Sequence, residues 1–192
     1  VPPSDNDIEL IRSHPDGTFG LYCNLLLYTG LRREEALALT YDDIDFLNKT
    51  ISVSKVVVFD GNIPSVRDSA KSDAGSRIVP LLAPAESILA AAEEKSGLLF
   101  PGKNGLMKKG EFDKGFNKYK AASGISCTSH QLRHYFASLC FEAELKENDV
   151  KDLMGHSNIA LTHEVYTHIS KRRKKESTEM LNRFLSAKSI TA

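Results

Sequence analysis

The apolar positions of this chain fall into helically spaced runs broken by one stretch of alternation, and the two periods predict two kinds of element. VPPSDNDIEL reads as a linker in which Ser4 or Asp5 caps a short helix through Ile11, because a side-chain oxygen there satisfies an orphaned backbone N–H. FGLYCNLLLYTG (19–30) is a strongly apolar helix stopped by Gly30, and a second helix follows through about Leu39. TISVSKVVVFD (50–60) alternates and then runs β-branched, which predicts a strand turned by Gly61 and Asn62. Residues 63–68 and 76–81 make two more short strands around the polar loop DSAKSDAGS, and Pro80 and Pro84 bracket the return to helix. Helices are expected over 84–95, 110–123 and 128–144, the last capped by Thr128 or Ser129. NDVKDLMGH and NIALTHEVYTH form shorter helices, and KRRKKESTEMLNRFL (171–185) a final amphipathic one. The pattern as a whole predicts an α+β chain, mainly helical, with a small three-stranded antiparallel sheet inserted early.

Length and composition narrow this further. A chain of 192 residues with 41% apolar content suits one globular domain with a proper core and an appended tail. No apolar run is long enough to span a bilayer, and the first residues lack a basic-then-apolar signal, so no membrane partner is expected. The missing initiator methionine predicts a piece of something longer. Cys23, Cys127 and Cys140 show no paired spacing, which fits buried thiols in a reducing cytoplasm better than a disulfide framework. The 25 basic residues balance the 25 acidic ones, which argues against a generic polyanion binder. Acids gather at 34–35, 42–45 and 92–95, and bases at 71–77, 107–109 and 171–175, so the two signs can still segregate.

The most informative short stretch is HQLRH at 130–134. Two histidines four apart lie on one helical face, a spacing that grips zinc in some hydrolases. Here Gln131 stands where a catalytic glutamate would be needed, and Arg133 sets a fixed positive charge between the would-be ligands, repelling a dication. The same arrangement suits an anion. His130 and Arg133, three apart, are neighbours on one face, and a planar guanidinium matches phosphate oxygens at any working pH. The stretch therefore reads as a phosphate site without metal.

Three further patches accompany it: TGLRREEALAL (29–39), AKSDAGSRIVPL (70–81) and LMGHSNIALTHEVYTH (153–168). Each alone is commonplace. The ordered set, ending in a tyrosine ten residues beyond His156, resembles the catalytic domain of the tyrosine recombinase or phage-type integrase family, collinearly from about residue 5 to about residue 185. The resemblance implies Arg32 as the first catalytic arginine, Lys71 as the hairpin-loop lysine, His130 and Arg133 as the paired helix residues, His156 as the second histidine and Tyr166 as the nucleophile. Glu35 matches the acidic position that supports the first arginine, and His134 a second histidine of more structural role. Met154 and Ser72 depart from the usual leucine and threonine, without touching the chemistry.

The implied function is a site-specific DNA recombinase, the integrase of a phage or mobile element. Tyr166 would attack a DNA phosphate to give a 3′-phosphotyrosyl link and a free 5′-hydroxyl. Arg32 and Arg133 would clamp the phosphate from opposite sides, His130 would assist loss of the phenolic proton, Lys71 would protonate the leaving oxygen, and His156 would hydrogen-bond a non-bridging oxygen. Bond energy is conserved, so neither cofactor nor metal is expected. The implied partners are double-stranded DNA, copies of the chain as a homo-tetramer on paired sites in the full-length protein, and accessory DNA-bending or directionality factors. In domain terms, 1–192 would be the catalytic domain with 171–192 as its C-terminal helix or tail, and the N-terminal core-binding domain absent. The competing readings are a type IB topoisomerase-like enzyme, an inactive DNA-binding module of the same fold, and a zinc hydrolase.

Overall fold

The computed structural model describes residues 2–69, 76–92 and 95–155, with Glu179, Met180 and Arg183 beyond them. Its helices are α1 (Asp5–Ser13), α2 (Gly17–Thr29), α3 (Arg33–Ala36), α4 (Ala83–Ala90), α5 (Lys109–Ser123), α6 (Ser129–Glu142) and α7 (Glu147–Met154). The helices expected over NIALTHEVYTH and 171–185 lie almost wholly outside the described residues.

α2 is apolar on every side, and a helix without a polar face has to be surrounded. It accordingly forms the centre of the helical layer, with α1, α4, α5 and α6 packed around it. Its Tyr22 lies edge-on to Phe100, Phe112 and Phe116 at 5.3–6.1 Å between ring centres. The buried Tyr22 hydroxyl donates to Ser129 Oγ at 2.9 Å, which satisfies the phenol and ties the start of α6 to the core. Ser4, of the two candidate residues, caps α1: its hydroxyl accepts from the Asp7 N–H at 3.1 Å. The helix expected through Leu39 is a single turn, because Ala38 and Leu39 donate to Glu35 and Ala36, three residues back, and tighten the chain into a turn. All three cysteines are buried free thiols. Among the described residues, no helix is long and apolar enough to cross a membrane.

The strand expected over 50–60 is present in two parts, β2 (Thr50–Val53) and β3 (Lys55–Asp60), preceded by the short β1 (Ile44–Asp45). β4 (Ile63–Asp68) returns antiparallel along β3, and β5 (Arg77–Pro80) antiparallel along β2. The three-stranded sheet is therefore β1-β2-β5, with β3 and β4 as an attached hairpin. The partner changes at Ser54. Lys55 pairs with Asp68 and Val53 with Arg77, so one residue separates the two ladders on this strand and residues 69–76 of the sequence separate them on the other. Ser69 closes the near side by donating its N–H to the Ser54 carbonyl at 2.8 Å. A further small hairpin, β6 (Pro101–Gly102) with β7 (Gly105–Leu106), occupies what reads in the sequence as a glycine-rich turn. α3 packs on β3 and α7 on β5, which brings the sheet beside the ends of α2 and α7.

Candidate active site

Arg32 stands at the N-terminus of α3, two residues after the left-handed Gly30 that ends α2. Glu35 folds back over this start. Its Oε2 accepts from the Arg32 backbone N–H at 2.7 Å and its Oε1 from Arg32 Nη1 at 2.8 Å. The carboxylate is buried, with a side chain 1% exposed, whereas the Arg32 side chain is 40% exposed. Burial alone would raise the carboxyl's pKa. Hydrogen bonds and charge from Arg77, then from Arg32, outweigh it and hold Glu35 down to about 2.

Arg133 occupies a core position of α6, in the buried stripe of Leu132, Phe136, Ala137 and Cys140. A buried guanidinium must be compensated, and two helix ends do this. Nη1 donates to the Gly30 carbonyl and Nη2 to the Met154 carbonyl, both at 2.5 Å, so the negative dipole ends of α2 and α7 converge on one cation. Gly30 and Gly155 make this possible, since each ends its helix in the left-handed region, at φ 63° and 62°. Burial, followed by repulsion from Arg32, lowers the Arg133 pKa to about 9 despite the attraction of Glu35, which leaves the group charged at neutral pH.

Gly30 is constrained twice over. A Cβ there would lie 2.4 Å from Phe136 Cδ1 and 2.8 Å from Met154 Sδ, in a backbone conformation that L-residues avoid. Gly30→Ala is expected to cost about 2–3 kcal/mol in urea denaturation, from left-handed strain plus overpacking. A loss within experimental error would show that this junction tolerates a side chain.

The end of α7 seats more than one arginine. Arg77 Nε donates to the Leu153 carbonyl at 2.8 Å, Arg133 to Met154 as above, and Arg32 Nη2 to Gly155 at 2.6 Å. Three consecutive carbonyls at the end of α7 thus take one guanidinium each. Arg77 also forks across Glu35, Nη1 to Oε1 and Nη2 to Oε2, both at 2.9 Å. One buried carboxylate among three guanidiniums leaves a net positive site. No described buried side-chain nitrogen or oxygen lacks a hydrogen-bond partner.

The start of α6 explains Gln131. Thr128 accepts from the Gln131 N–H at 3.3 Å, and Gln131 Oε1 accepts from the Thr128 N–H at 3.0 Å, a reciprocal cap that fixes the first turn. Gln131 is thus a capping residue. His130, exposed, faces His134 with their Nε2 atoms 2.9 Å apart, so one ring donates and the other accepts. Among the described residues no group of three or more histidine, cysteine or carboxylate side chains is placed to hold a metal.

Arg32, His130 and Arg133 share a cavity of about 500 Å³ that is also walled by Arg33, Phe112 and Phe116. The two arginines are not equivalent arms of a clamp. Arg32 is open to solvent, while Arg133 lies beneath it with both terminal nitrogens engaged. Lys71, His156 and Tyr166 lie outside the described residues; the described chain ends nearest them at Ser69, Ser76 and Gly155. Arg77 was not singled out by the sequence reading. The available signal was its place directly after the Lys71 loop, heading RIVPL.

A mainly helical α+β domain with small antiparallel sheets thus carries a cluster of arginines and histidines beside two helix ends. Residues 13–173 match the phage integrase family, and the chain belongs to that family. It is 28% identical to a XerC-like tyrosine recombinase of Caldanaerobacter subterraneus subsp. tengcongensis, over 93% of this chain and 53% of that protein. It is 30% identical to the transposase of transposon Tn916 from Enterococcus faecalis, over 75% of this chain and 40% of that one. The chain thus spans about half the length of the curated relatives it matches. In fold it resembles the Tn1549 transposon integrase solved with circular intermediate DNA, at a TM-score of 0.73 and 23% identity over 94% of this chain and 67% of that one. The XerA recombinase gives a TM-score of 0.68 at 21% identity, over 93% and 63%.

Proposed function

We propose that this chain is the catalytic domain of a site-specific DNA recombinase, cutting and rejoining strands through a 3′-phosphotyrosyl intermediate on Tyr166. The observation that carries the reading is the arginine cluster. A phosphodiester under attack gains negative charge on its non-bridging oxygens, and preorganised guanidiniums stabilise that charge without reorganising. Arg32 supplies the accessible fork, and its bond to the Gly155 carbonyl is exchangeable for a phosphate oxygen. Arg133 acts from below, its position fixed by the Gly30 and Met154 carbonyls. His130, at the rim of the same cavity, assists loss of the phenolic proton, with His134 orienting its ring.

Lys71 then protonates the leaving 5′-oxygen and His156 hydrogen-bonds a non-bridging oxygen, roles carried by their matching positions in the family pattern. The guanidiniums supply the charge neutralisation, and no metal takes part. The DNA-bound relative in fold supports duplex DNA as the partner. In the full-length protein, copies would act as a homo-tetramer on paired sites in the cytoplasm, with DNA-bending or directionality factors as accessories.

The test is to incubate the chain with a pool of nicked duplexes of randomised sequence, isolate SDS-resistant protein–DNA adducts and locate the modified peptide. An adduct on the Tyr166 peptide that forms equally with EDTA present is the expected result. Absence of any adduct, or one dependent on added divalent metal, would overturn the proposal.

A further inference from the structure

We propose that Arg77 is a positioning residue for strand transfer, one that holds Arg32 and the end of α7 in register with the strand that follows the Lys71 loop. The inference rests on the strand-transfer reading above. Each carboxylate oxygen of Glu35 accepts one bond from Arg32 and one from Arg77: Oε1 from the two Nη1 groups, Oε2 from the Arg32 backbone and Arg77 Nη2. The fork of Arg77 therefore sets the plane of the carboxylate, and the carboxylate sets the direction of Arg32. The remaining donor, Nε, fixes the Leu153 carbonyl, one residue before Met154, which holds Arg133, and two before Gly155, which holds Arg32.

Arg77 is itself anchored. Its backbone pairs with Val53 at the end of the β2–β5 ladder. Its side chain is 6% exposed, so it acts through Glu35 and Leu153 rather than on DNA directly. Among the described residues it is the side chain that ties Arg32 and the end of α7 to the strand that begins at position 77. Lysine cannot replace it. A point charge on a flexible stem lacks the planar fork needed to hold both oxygens and a carbonyl together.

The experiment compares wild type, Arg77→Lys, Glu35→Gln and the double variant on a duplex that the wild type selects from the randomised pool. Single-turnover adduct formation at saturating DNA is measured beside DNA affinity and thermal melting. Arg77→Lys is expected to lower the rate constant about a hundredfold, as misplacement of catalytic groups does. Its burst amplitude should be retained, and its affinity should stay within about threefold because phosphate contacts dominate binding. The double variant should be slowed by less than the product of the two single effects, because both act on Arg32 through Glu35 while Arg77 alone also acts through Leu153.

A wild-type rate constant in Arg77→Lys overturns the inference. So does a loss confined to amplitude, which marks a residue needed only for folding, or a loss confined to affinity, which marks a DNA contact. Additive slowing in the double variant overturns it as well. Should Arg77→Lys not fold, Arg77→Gln is read in the same way, and failure of both to fold counts against a positioning role. If the wild type forms no adduct, the strand-transfer reading itself fails, an outcome distinct from an adduct formed equally well by wild type and variant.

Discussion

Tyr166→Phe is expected to bind DNA as the wild type does and to form no SDS-resistant adduct at all. The change deletes one oxygen and nothing else. A covalent intermediate needs that oxygen, so its removal leaves no slower path to the same product. Binding is expected to persist because neutralisation of phosphates by cations supplies most of the affinity, and the phenol contributes no charge. The free phenol, with a pKa of about 10, must lose its proton during attack. The measurement is denaturing gel electrophoresis of adduct beside a filter-binding isotherm for the same duplex. An undiminished adduct in the variant would assign the attack to another residue.

The largest expected effect on stability is at Glu35. Among the described residues, Glu35→Ala removes the one carboxylate paired with Arg32, Arg77 and Arg133, and the two buried guanidiniums keep only their carbonyl partners against mutual repulsion. Breaking one side of a buried ion network costs about 3–5 kcal/mol, well beyond an ordinary surface change. The pH dependence carries the same signature. Glu35 titrates near 4.5 when unfolded and about 2 when folded, so its stabilisation is complete above the unfolded value and is lost as pH falls between the two. That component is about 3 kcal/mol. The stability gap between wild type and Glu35→Ala should therefore narrow steadily as the pH is lowered from about 5 to about 3. Asp7, where hydrogen bonds from Ser126 and Ser4 outweigh burial, and Asp43, where those from Thr40 and Lys55 do, also titrate low. They act in both proteins, so the difference isolates Glu35. A gap that stays constant across this range would show that the carboxylate is not the source of the stability.

The legible parts of this molecule were those fixed locally. α2 announces itself because eight of its thirteen residues are apolar and none is charged, a helix that can only be buried, and its glycine stop falls where the left-handed cap is found. The pairing of His130 with Arg133 follows from helical spacing, and both line one cavity with Arg32. Other features depend on contacts far apart in the chain and leave no local trace. The alternation of 50–60 runs straight through Ser54, and only the change of partner from β5 to β4 divides it. An arginine among apolar residues on α6 gives no hint that its partners are carbonyls at positions 30 and 154. Arg77 reads as an ordinary strand residue because its carboxylate partner lies 42 positions away. Gln131, by contrast, was open to a purely local account as a cap to Thr128, which its apparent place in a metal motif obscured.

The change of partner at a single residue, Ser54, makes the two ladders separate pieces of scaffold. The pairs that bracket it, Val53 with Arg77 and Lys55 with Asp68, are complete on their own, and neither draws on the length of chain between them. Residues can therefore be added to or taken from that segment while both ladders keep their register, at an entropic cost that grows only with the logarithm of loop length. Chain length on that side of the junction is thereby uncoupled from the arginine seat that begins at Arg77.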